Sequence, residues 1–377
     1  MNKPSALGII IALITCFAAI SCTKTETTET QHSSAINDLS THPLYSTYDF
    51  GAKDNIIDLG SQPLGVPIGV ISELMNRDNI LKESLSTLGL KLRSHPFFKG
   101  GDINYFLKNG KLDIALAGDM PMIAAAATGK VIVLSLAKQQ FSSLIARDSI
   151  PVNELKGKKI GNAFGSSAHY SLLLALASAD MTEKDVTLVK MKVSEMPDAL
   201  ANGNIDAFVA WEPTPTIALT KYKDFNVIHR SINTSYLYVT KDFAERHPRA
   251  AQLIAAAQIR AMRWMDESEE NLLKASELQL KTSQKFSGYP PVLKTATNAA
   301  LIKNGLSAIT AAPFIPEEYY KENGRLHREF IFIENLGKLP EESTWENAHR
   351  SFDRNILIQI MKDPAGFRIN EYDYNLI

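Results

Sequence analysis

Cysteine is the scarcest residue of this chain, with two examples, Cys16 and Cys22, among 377 residues. Two cysteines exclude a framework of several disulfides and a zinc site built from four thiolates. The eight histidines are scattered, without the H-x-x-x-H or H-E-x-x-H spacing that places two metal ligands on one helix face. The sequence therefore predicts no metal site.

A strong charge of one sign is also absent. Lysine plus arginine number 40 against 41 aspartates plus glutamates, which leaves a net charge of -1. That balance provides no basic field to hold nucleic acid. The chain also lacks a G-x-x-x-x-G-K-[ST] phosphate loop and a G-x-G-x-x-G motif after a strand. We therefore expect no nucleic-acid partner, no intrinsic ATPase or dinucleotide-dependent activity, and no cofactor.

The N-terminal residues have the pattern of an export signal. Lys3 is followed by an apolar run over residues 6–20, shorter than the roughly 20 residues that cross a bilayer. The motif A-I-S-C ending at Cys22 is similar to the lipobox of bacterial lipoproteins, whose cysteine is freed by cleavage and lipidated. We expect a signal peptide over residues 1–21 and a lipid anchor on Cys22. An ordinary signal peptide cut near Ser21, with Cys22 left as a free thiol, is the alternative.

The remaining sequence predicts a tethered body of two lobes. Residues 22–50 are rich in threonine, serine and glutamate and read as a flexible, lipidated tether. The domain boundaries that we expect are a first part of lobe 1 over 51–146, lobe 2 over 147–232, a mainly helical return to lobe 1 over 233–363, and a tail over 364–377. After cleavage of the leader, Cys22 would be the only cysteine, so the fold would contain no disulfide and no thiol nucleophile.

Residues 155–213 carry the clearest local pattern, a β-α-β-α-β unit. Its predicted turn, Gly165-Ser166-Ser167, leads from a strand into a helix. The free N–H groups at the start of a helix are capped by a serine side chain or bind an anion. The strands are predicted at 159–164, 186–191 and 205–210, and the helices at 168–179 and 195–201. Elsewhere we expect strands at 55–60, 90–97, 112–117, 131–137, 143–146 and 236–240, and helices at 68–75, 102–107 (with Asp102 as its cap), 122–128, 250–265, 269–281, 292–303 and 317–323.

Two segments of the chain have similar sequences. N-G-K-L-D-I-A-L-A-G-D ends at Asp119, and N-G-N-I-D-A-F-V-A-W-E ends at Glu212; each is followed by a proline shortly afterwards. In both segments, Asn-Gly marks the end of a predicted helix, an apolar strand follows, and the turn after the strand contains an acidic residue. Two copies of one device predict two similar α/β lobes that face each other. Open α/β sheets bind ligands at the carboxyl ends of their strands.

The motifs L-K-G-K-K-I, G-S-S-A-H-Y and I-D-A-F with W-E-P, all within residues 155–213, resemble the periplasmic substrate-binding proteins of ABC importers. The most similar group serves aliphatic sulfonates, taurine and nitrate, and is related to the thiamine-pyrimidine-binding proteins. The similarity extends over about residues 54–360 and weakens beyond about residue 240. It implies an α/β, two-lobed periplasmic-binding-protein type II fold, each lobe a mostly parallel sheet flanked by helices, with a ligand cleft between the lobes.

Candidate ligand contacts follow from the turns and from this resemblance. Gly165, Ser166 and Ser167 suit a sulfonate-like oxyanion. The equivalent turns of the two lobes offer an aromatic face and two carboxylates for an apolar body and an ammonium or ring N–H. The alternative is that Glu212 bonds locally and Trp211 fills core. The full set of predicted contacts is Gln62, Gly118, Asp119, Met120, Gly165, Ser166, Ser167, His169, Tyr170, Trp211 and Glu212.

Catalysis is not expected. Ser166 and His169 lie three residues apart, but the G-x-S-x-G elbow and a positioned acid are missing. The yeast-type pyrimidine synthases of this fold carry a cysteine-rich motif that this chain lacks. The resemblance therefore implies an extracytoplasmic lipoprotein, a monomer and not an enzyme, that captures a small organic anion, an aliphatic or aryl sulfonate or a taurine-like compound, for an ABC permease and ATPase. A receptor for a membrane sensor, and a binder of nitrate or an aminopyrimidine, remain open.

Overall fold

The computed structural model describes residues 38–50 and 55–376. The predicted signal peptide, Cys22 and most of the predicted tether lie outside these residues. The described strands form one eight-stranded sheet in the order β2-β1-β3-β8-β4-β7-β5-β6. They are Ile56–Ser61 (β1), Lys91–Pro96 (β2), Ile114–Gly118 (β3), Val131–Ala146 (β4), Lys159–Asn162 (β5), Thr187–Lys190 (β6), Ala207–Trp211 (β7) and Asn226–Thr240 (β8).

Helices flank the sheet, and the predicted α/β class is confirmed. Pro248 stands in the first turn of its helix, as its fixed φ favours. The α-helices are Ile68–Arg77 (α1), Asn79–Thr87 (α2), Gly100–Lys108 (α3), Asp119–Ala126 (α4), Ser167–Ala177 (α5), Met196–Ala201 (α6), Thr214–Lys221 (α7), Lys241–Arg246 (α8), Pro248–Glu267 (α9), Glu269–Ser287 (α10), Thr295–Leu306 (α11), Glu317–Tyr320 (α12), Arg325–Asn335 (α13), Trp345–Arg350 (α14) and Asn355–Lys362 (α15).

Strands β4 and β8 are long and adjacent, and each extends from one half of the sheet into the other. They pair antiparallel from Val131 opposite Thr240 to Ala146 opposite Asn226, with register shifts on the way. The prediction of two short strands at 131–137 and 143–146 and of a short return strand at 236–240 is therefore wrong. The polar run between them interrupts the apolar pattern, but its backbone is paired with β8, so its side chains lie at the junction of the two halves.

The buried apolar residues form two large clusters, one on each side of this junction. The first surrounds β1, β2 and β3 and includes α1 and α9. The second surrounds β5 and β7 and includes α5 and α6. We refer to these halves as the first and second lobes. Within each lobe the outer strands pair in parallel, β1 with β2 and β3, and β5 with β6 and β7.

The described end of the predicted tether belongs to the fold. Tyr45 is 1% exposed and its hydroxyl donates to Asp102 Oδ2 at 2.8 Å. Asp102 therefore does not cap α3 as predicted; the cap position is Lys99, whose side chain makes no capping bond. The tail is also attached, since Phe367 and Ile369 are buried in the first lobe. Both segments lacked a periodic pattern because single anchoring side chains, rather than an apolar stripe, hold them.

None of the described helices combines the length and the apolar character that crossing a membrane requires.

Candidate functional site

The carboxyl ends of two pairs of parallel strands, one pair from each lobe, meet at the junction of the lobes. Strands β1 and β3 end there at Ser61 and Gly118, and β5 and β7 end at Asn162 and Trp211. The centres of β4 and β8 pass the same place, because β8 pairs with β3 through Ser235 and β4 pairs with β7 through Ser142. This is the position at which open α/β sheets bind ligands.

The predicted turn before α5 has the geometry that its sequence requires. Gly165 has φ +71°, in the left-handed region that glycine enters without a side-chain clash. Ser166 caps α5, accepting from the His169 N–H at 3.3 Å and donating to the Ala163 carbonyl at 2.6 Å. Its hydroxyl is therefore fully used by the backbone. Ser167 is different, since its buried Oγ has no hydrogen-bond partner among the described residues.

Ser167 faces the first lobe directly. A β-carbon added to Gly118 would lie 2.1 Å from Ser167 Oγ. Two neighbouring contacts also join the lobes, since Lys99 Nζ donates to the Phe164 carbonyl at 2.6 Å and a β-carbon on Gly101 would lie 3.1 Å from the Gly165 oxygen. The turn is thus enclosed by the opposite lobe, and the lobes are closed on each other.

His169 supports this turn through hydrogen bonds at both of its ring nitrogens. Its Nδ1 accepts the Gly165 N–H at 3.2 Å, so the ring proton lies on Nε2, which donates to Glu183 Oε1 at 2.9 Å. Burial lowers the pKa of His169, which keeps the ring neutral. Because both ring nitrogens are engaged and the Ser166 hydroxyl points to the backbone, no nucleophile–base pair forms here.

Asp119 forms a buried ion pair instead of an open carboxylate. Its Oδ2 accepts from Thr234 N and Oγ1 at 3.0 and 3.1 Å and from Arg325 Nη2 at 3.0 Å. Met120 and Tyr170, from opposite lobes, pack together against Ile333. The structure therefore brings these three predicted contacts to a cluster covered by α13.

Trp211 and Glu212 both make local contacts in the structure. Trp211 is buried in the core of the second lobe. Glu212 Oε2 accepts the Thr216 N–H at the start of α7 at 3.3 Å, and its backbone oxygen accepts from Val66 of the first lobe. Burial raises the pKa of Glu212. Gln62 is also buried, in the loop that follows β1.

Lys138 is the residue that the sequence reading missed. It is 2% exposed, at the centre of β4, and its side-chain ammonium forms neither an ion pair nor a hydrogen bond with any described residue. Burial lowers the pKa of Lys138 to about 8, against the opposing pull of Asp119 and Glu212. Burying an ammonium without a counter-ion is costly, so an anion bound beside it would offset that cost. The only sequence signal was a lysine interrupting an otherwise strand-like run.

Further unpaired polar groups surround the junction. Asn162, at the end of β5, is completely buried, and neither its amide nitrogen nor its amide oxygen has a described partner. Asn233 Oδ1 and Gln140 Oε1 are also unpaired, and these two residues are opposite each other in β8 and β4. Such buried groups are rare in folded proteins unless a ligand or water occupies them. The described residues include no group of three or more His, Cys, Asp or Glu side chains placed to hold a metal ion.

Comparison with known proteins agrees with this arrangement. The chain is 28% identical over 200 residues to a protein of Bacillus subtilis (strain 168) named for binding aliphatic sulfonates, a match that covers 50% of this chain and 59% of that one. It is 29% identical over 206 residues to the taurine-binding periplasmic protein of Escherichia coli (strain K12), covering 52% and 63%. The match thus spans less than two thirds of each relative.

A solved structure shares this fold over nearly the whole length of the solved chain. The alkanesulfonate-binding protein SsuA from Xanthomonas axonopodis pv. citri, bound to MOPS, superposes with a TM-score of 0.60 at 20% identity. The alignment covers 79% of this chain and 98% of that one. The sequence profile described as the NMT1-like family matches residues 81–279, more than half of the chain. This chain belongs to the NMT1-like family.

Proposed function

We propose that this protein is an extracytoplasmic solute-binding protein that captures a small organic anion between its lobes and delivers it to an ABC importer. The anion is an aliphatic or aryl sulfonate or a taurine-like compound. The observation that carries the proposal is the buried, unpaired ammonium of Lys138 at the carboxyl ends of the strands. The names of the relatives support the same ligand class.

The unpaired groups match the chemistry of a sulfonate. Its oxygens only accept hydrogen bonds, and Lys138, the Asn162 amide and the Ser167 hydroxyl supply donors. Glu212 bonds to Thr216 but forms no ion pair with a described residue, and it suits a donor at the other end of the ligand. Asp119, in contrast, is already neutralised by Arg325. Of the two predicted carboxylates, we therefore retain Glu212 as a ligand contact.

Ligand identity is tested by thermal unfolding of the full-length protein with alkanesulfonates, taurine, nitrate and an aminopyrimidine. A ligand at 100 times its Kd adds about 2.7 kcal/mol to the free energy of unfolding. We expect the largest stabilisation from a sulfonate or taurine. A response to nitrate or the pyrimidine alone would contradict the proposed ligand class, and conversion of a bound compound into product would contradict the absence of catalysis.

The lipid anchor on Cys22 is part of the proposal. Each buried CH₂ of an acyl chain contributes about 0.8 kcal/mol, so several chains hold a protein firmly on a membrane. We expect Cys22→Ala to release the protein into the soluble fraction or to leave an uncleaved precursor, as measured by fractionation and intact mass. Cys16→Ala, within the predicted leader, is the matched control and should change neither. Membrane retention of a processed Cys22→Ala protein would rule out the anchor.

A further inference from the structure

Residues 325–339, which comprise α13 and the turn after it, contact both lobes; we call this segment the strap. Its first residue, Arg325, binds Asp119 of α4 in the first lobe at 3.0 Å and the Ile232 carbonyl of β8 at 3.1 Å. Near its other end, Lys338 Nζ lies 2.7 Å from Glu183 Oε2 in the second lobe. The strap therefore spans the junction from one lobe to the other.

The centre of the strap is buried between the lobes. Ile333 is fully buried in a cluster with Met120 of α4 and Tyr170 of α5, and the ring of Phe332 lies 5.9 Å from that of Tyr170. Met120 and Tyr170 belong to the first turns of the two helices that begin at the cleft. The strap thus covers the cleft on this side and contacts both walls at once.

Glu329 places a carboxyl group in the buried part of the strap. It is fully buried on α13, and neither carboxylate oxygen has a described hydrogen-bond partner. Burial raises the pKa of Glu329 well above its ordinary value, and the nearby Asp119 adds to the effect. A buried carboxyl without hydrogen-bond partners is costly. This cost weakens the attachment of the strap to the lobes, so the strap can leave its site more easily.

A chain of polar contacts connects the strap to the turn in the cleft. Glu183 accepts from Lys338 with one oxygen and from His169 Nε2 with the other. Burial opposes ionisation of Glu183, but the bonds from His169 and Lys338 lower its pKa to about 2, so it remains charged. His169 in turn accepts the Gly165 N–H. Lys338 is therefore linked through two side chains to the backbone of the predicted anion-binding turn.

We propose that the strap holds the two lobes closed and that its attachment to Glu183 fixes the turn at Gly165, so that detaching the strap opens the cleft. The closure rests on contacts within this chain alone. Its consequence, faster exchange of a bound anion, rests on the function proposed above.

Hydrogen–deuterium exchange of the full-length, ligand-free protein tests the strap. Lys338→Met removes the contact with the second lobe at a half-buried position, so the variant is expected to fold. We expect exchange of the amides of 165–170 and of the strap to rise at least fivefold, with β1 and α9 unchanged. The Gly165 amide is the most direct reporter. Lys338→Arg should restore protection, and Lys274→Met, which removes an exposed ion pair within α10, should leave it unaltered.

Unchanged exchange at 165–170 in Lys338→Met, or a uniform rise across the first lobe, would overturn the strap. The dissociation rate of hexane-1-sulfonate, measured on the same variants, separates this proposal from the proposed function. We expect Lys338→Met to raise that rate about fivefold. If no variant binds the sulfonate while exchange at 165–170 still rises, the strap stands and the ligand assignment fails.

Discussion

Replacing Lys138 with methionine should weaken binding of an alkanesulfonate by at least about 30-fold. Removing one partner of a buried, hydrogen-bonded charge pair costs about 2–5 kcal/mol, and every 1.4 kcal/mol is tenfold in Kd. The Lys138 ammonium is buried without a hydrogen-bond or ion-pair partner among the described residues, so a bound anion would neutralise it directly, whereas Asp119 and Glu212 act on it without direct contact. Isothermal titration calorimetry measures the effect, with the exposed Lys274→Met as the matched control.

The pH dependence of binding gives a second signature of the same residue. A sulfonate stays anionic at neutral and alkaline pH, whereas the ammonium of free Lys138 is lost as the pH rises through its pKa of about 8. Because the bound anion holds the proton on the amine, Kd should rise roughly tenfold between pH 7 and pH 9. The Lys138→Met variant should show no such rise. Equal affinities of wild type and variant, or a flat profile in the wild type, would mean that the anion is held elsewhere.

The same substitution should stabilise the ligand-free protein. At pH 7 Lys138 is protonated in both the folded and the unfolded chain, and lowering its pKa from 10.5 to about 8 costs the folded state about 3 kcal/mol. Between pH 8 and about 10.5 the unfolded chain binds more protons, so the stability of the wild type rises with pH. Methionine removes this cost, so the gain in stability is full below about pH 8 and disappears as the pH rises to about 10.5. Lost affinity together with gained stability is the expected mark of a binding residue.

Replacing Gly118 with alanine should hinder closure of the lobes. The added β-carbon would lie 2.1 Å from Ser167 Oγ and 3.3 Å from Ser167 Cβ in the closed arrangement. Gly118 has φ -71°, so alanine brings no backbone strain and acts through this contact alone. Forcing extra atoms into a packed contact costs about 1–3 kcal/mol. We therefore expect the Kd of the sulfonate to rise roughly 5- to 150-fold.

A second substitution separates this steric effect from other consequences of Gly118→Ala. Ser167→Gly removes both atoms that the new β-carbon meets. On that background, Gly118→Ala should change the Kd much less than it does in the wild type, and the double-mutant cycle gives the coupling directly. Gly101→Ala, whose contact of 3.1 Å is less severe, should have a smaller effect. Additive effects of Gly118→Ala and Ser167→Gly would contradict closure through this contact.

Sequence patterns located the elements of the fold better than their extent. Apolar strands bounded by glycine or acidic turns, such as β3 and β7, follow local rules and were found near their true positions. Strand β4 was divided in two because Lys138-Gln139-Gln140 interrupts its apolar pattern. Its continuity depends on backbone pairing with β8, which is distant in the chain. Helix α13 was missed because its apolar face matches a surface made by both lobes.

The site was predictable to the level of its loops but not of its individual contacts. The turn at Gly165 was identified because glycine and serine at a strand–helix joint have a local function. Asp119 and His169 looked available as ligands because their partners, Arg325 and Glu183, are set by tertiary contacts that no spacing reveals. Lys138 was overlooked for the converse reason. Its lack of a partner is visible only when its surroundings are known.

The pairing of β4 with β8 also makes the second lobe an insertion within the chain of the first. The chain crosses into that lobe at the centre of β4 and returns at the centre of β8, where Gln140 and Asn233 lie opposite each other in the ladder. A segment whose ends adjoin is inserted without rearranging what surrounds it. The residues between them are therefore exchangeable as a cassette between related chains, with only two backbone joints to match. New pairings of cleft walls could arise in this way by recombination as well as by point substitution.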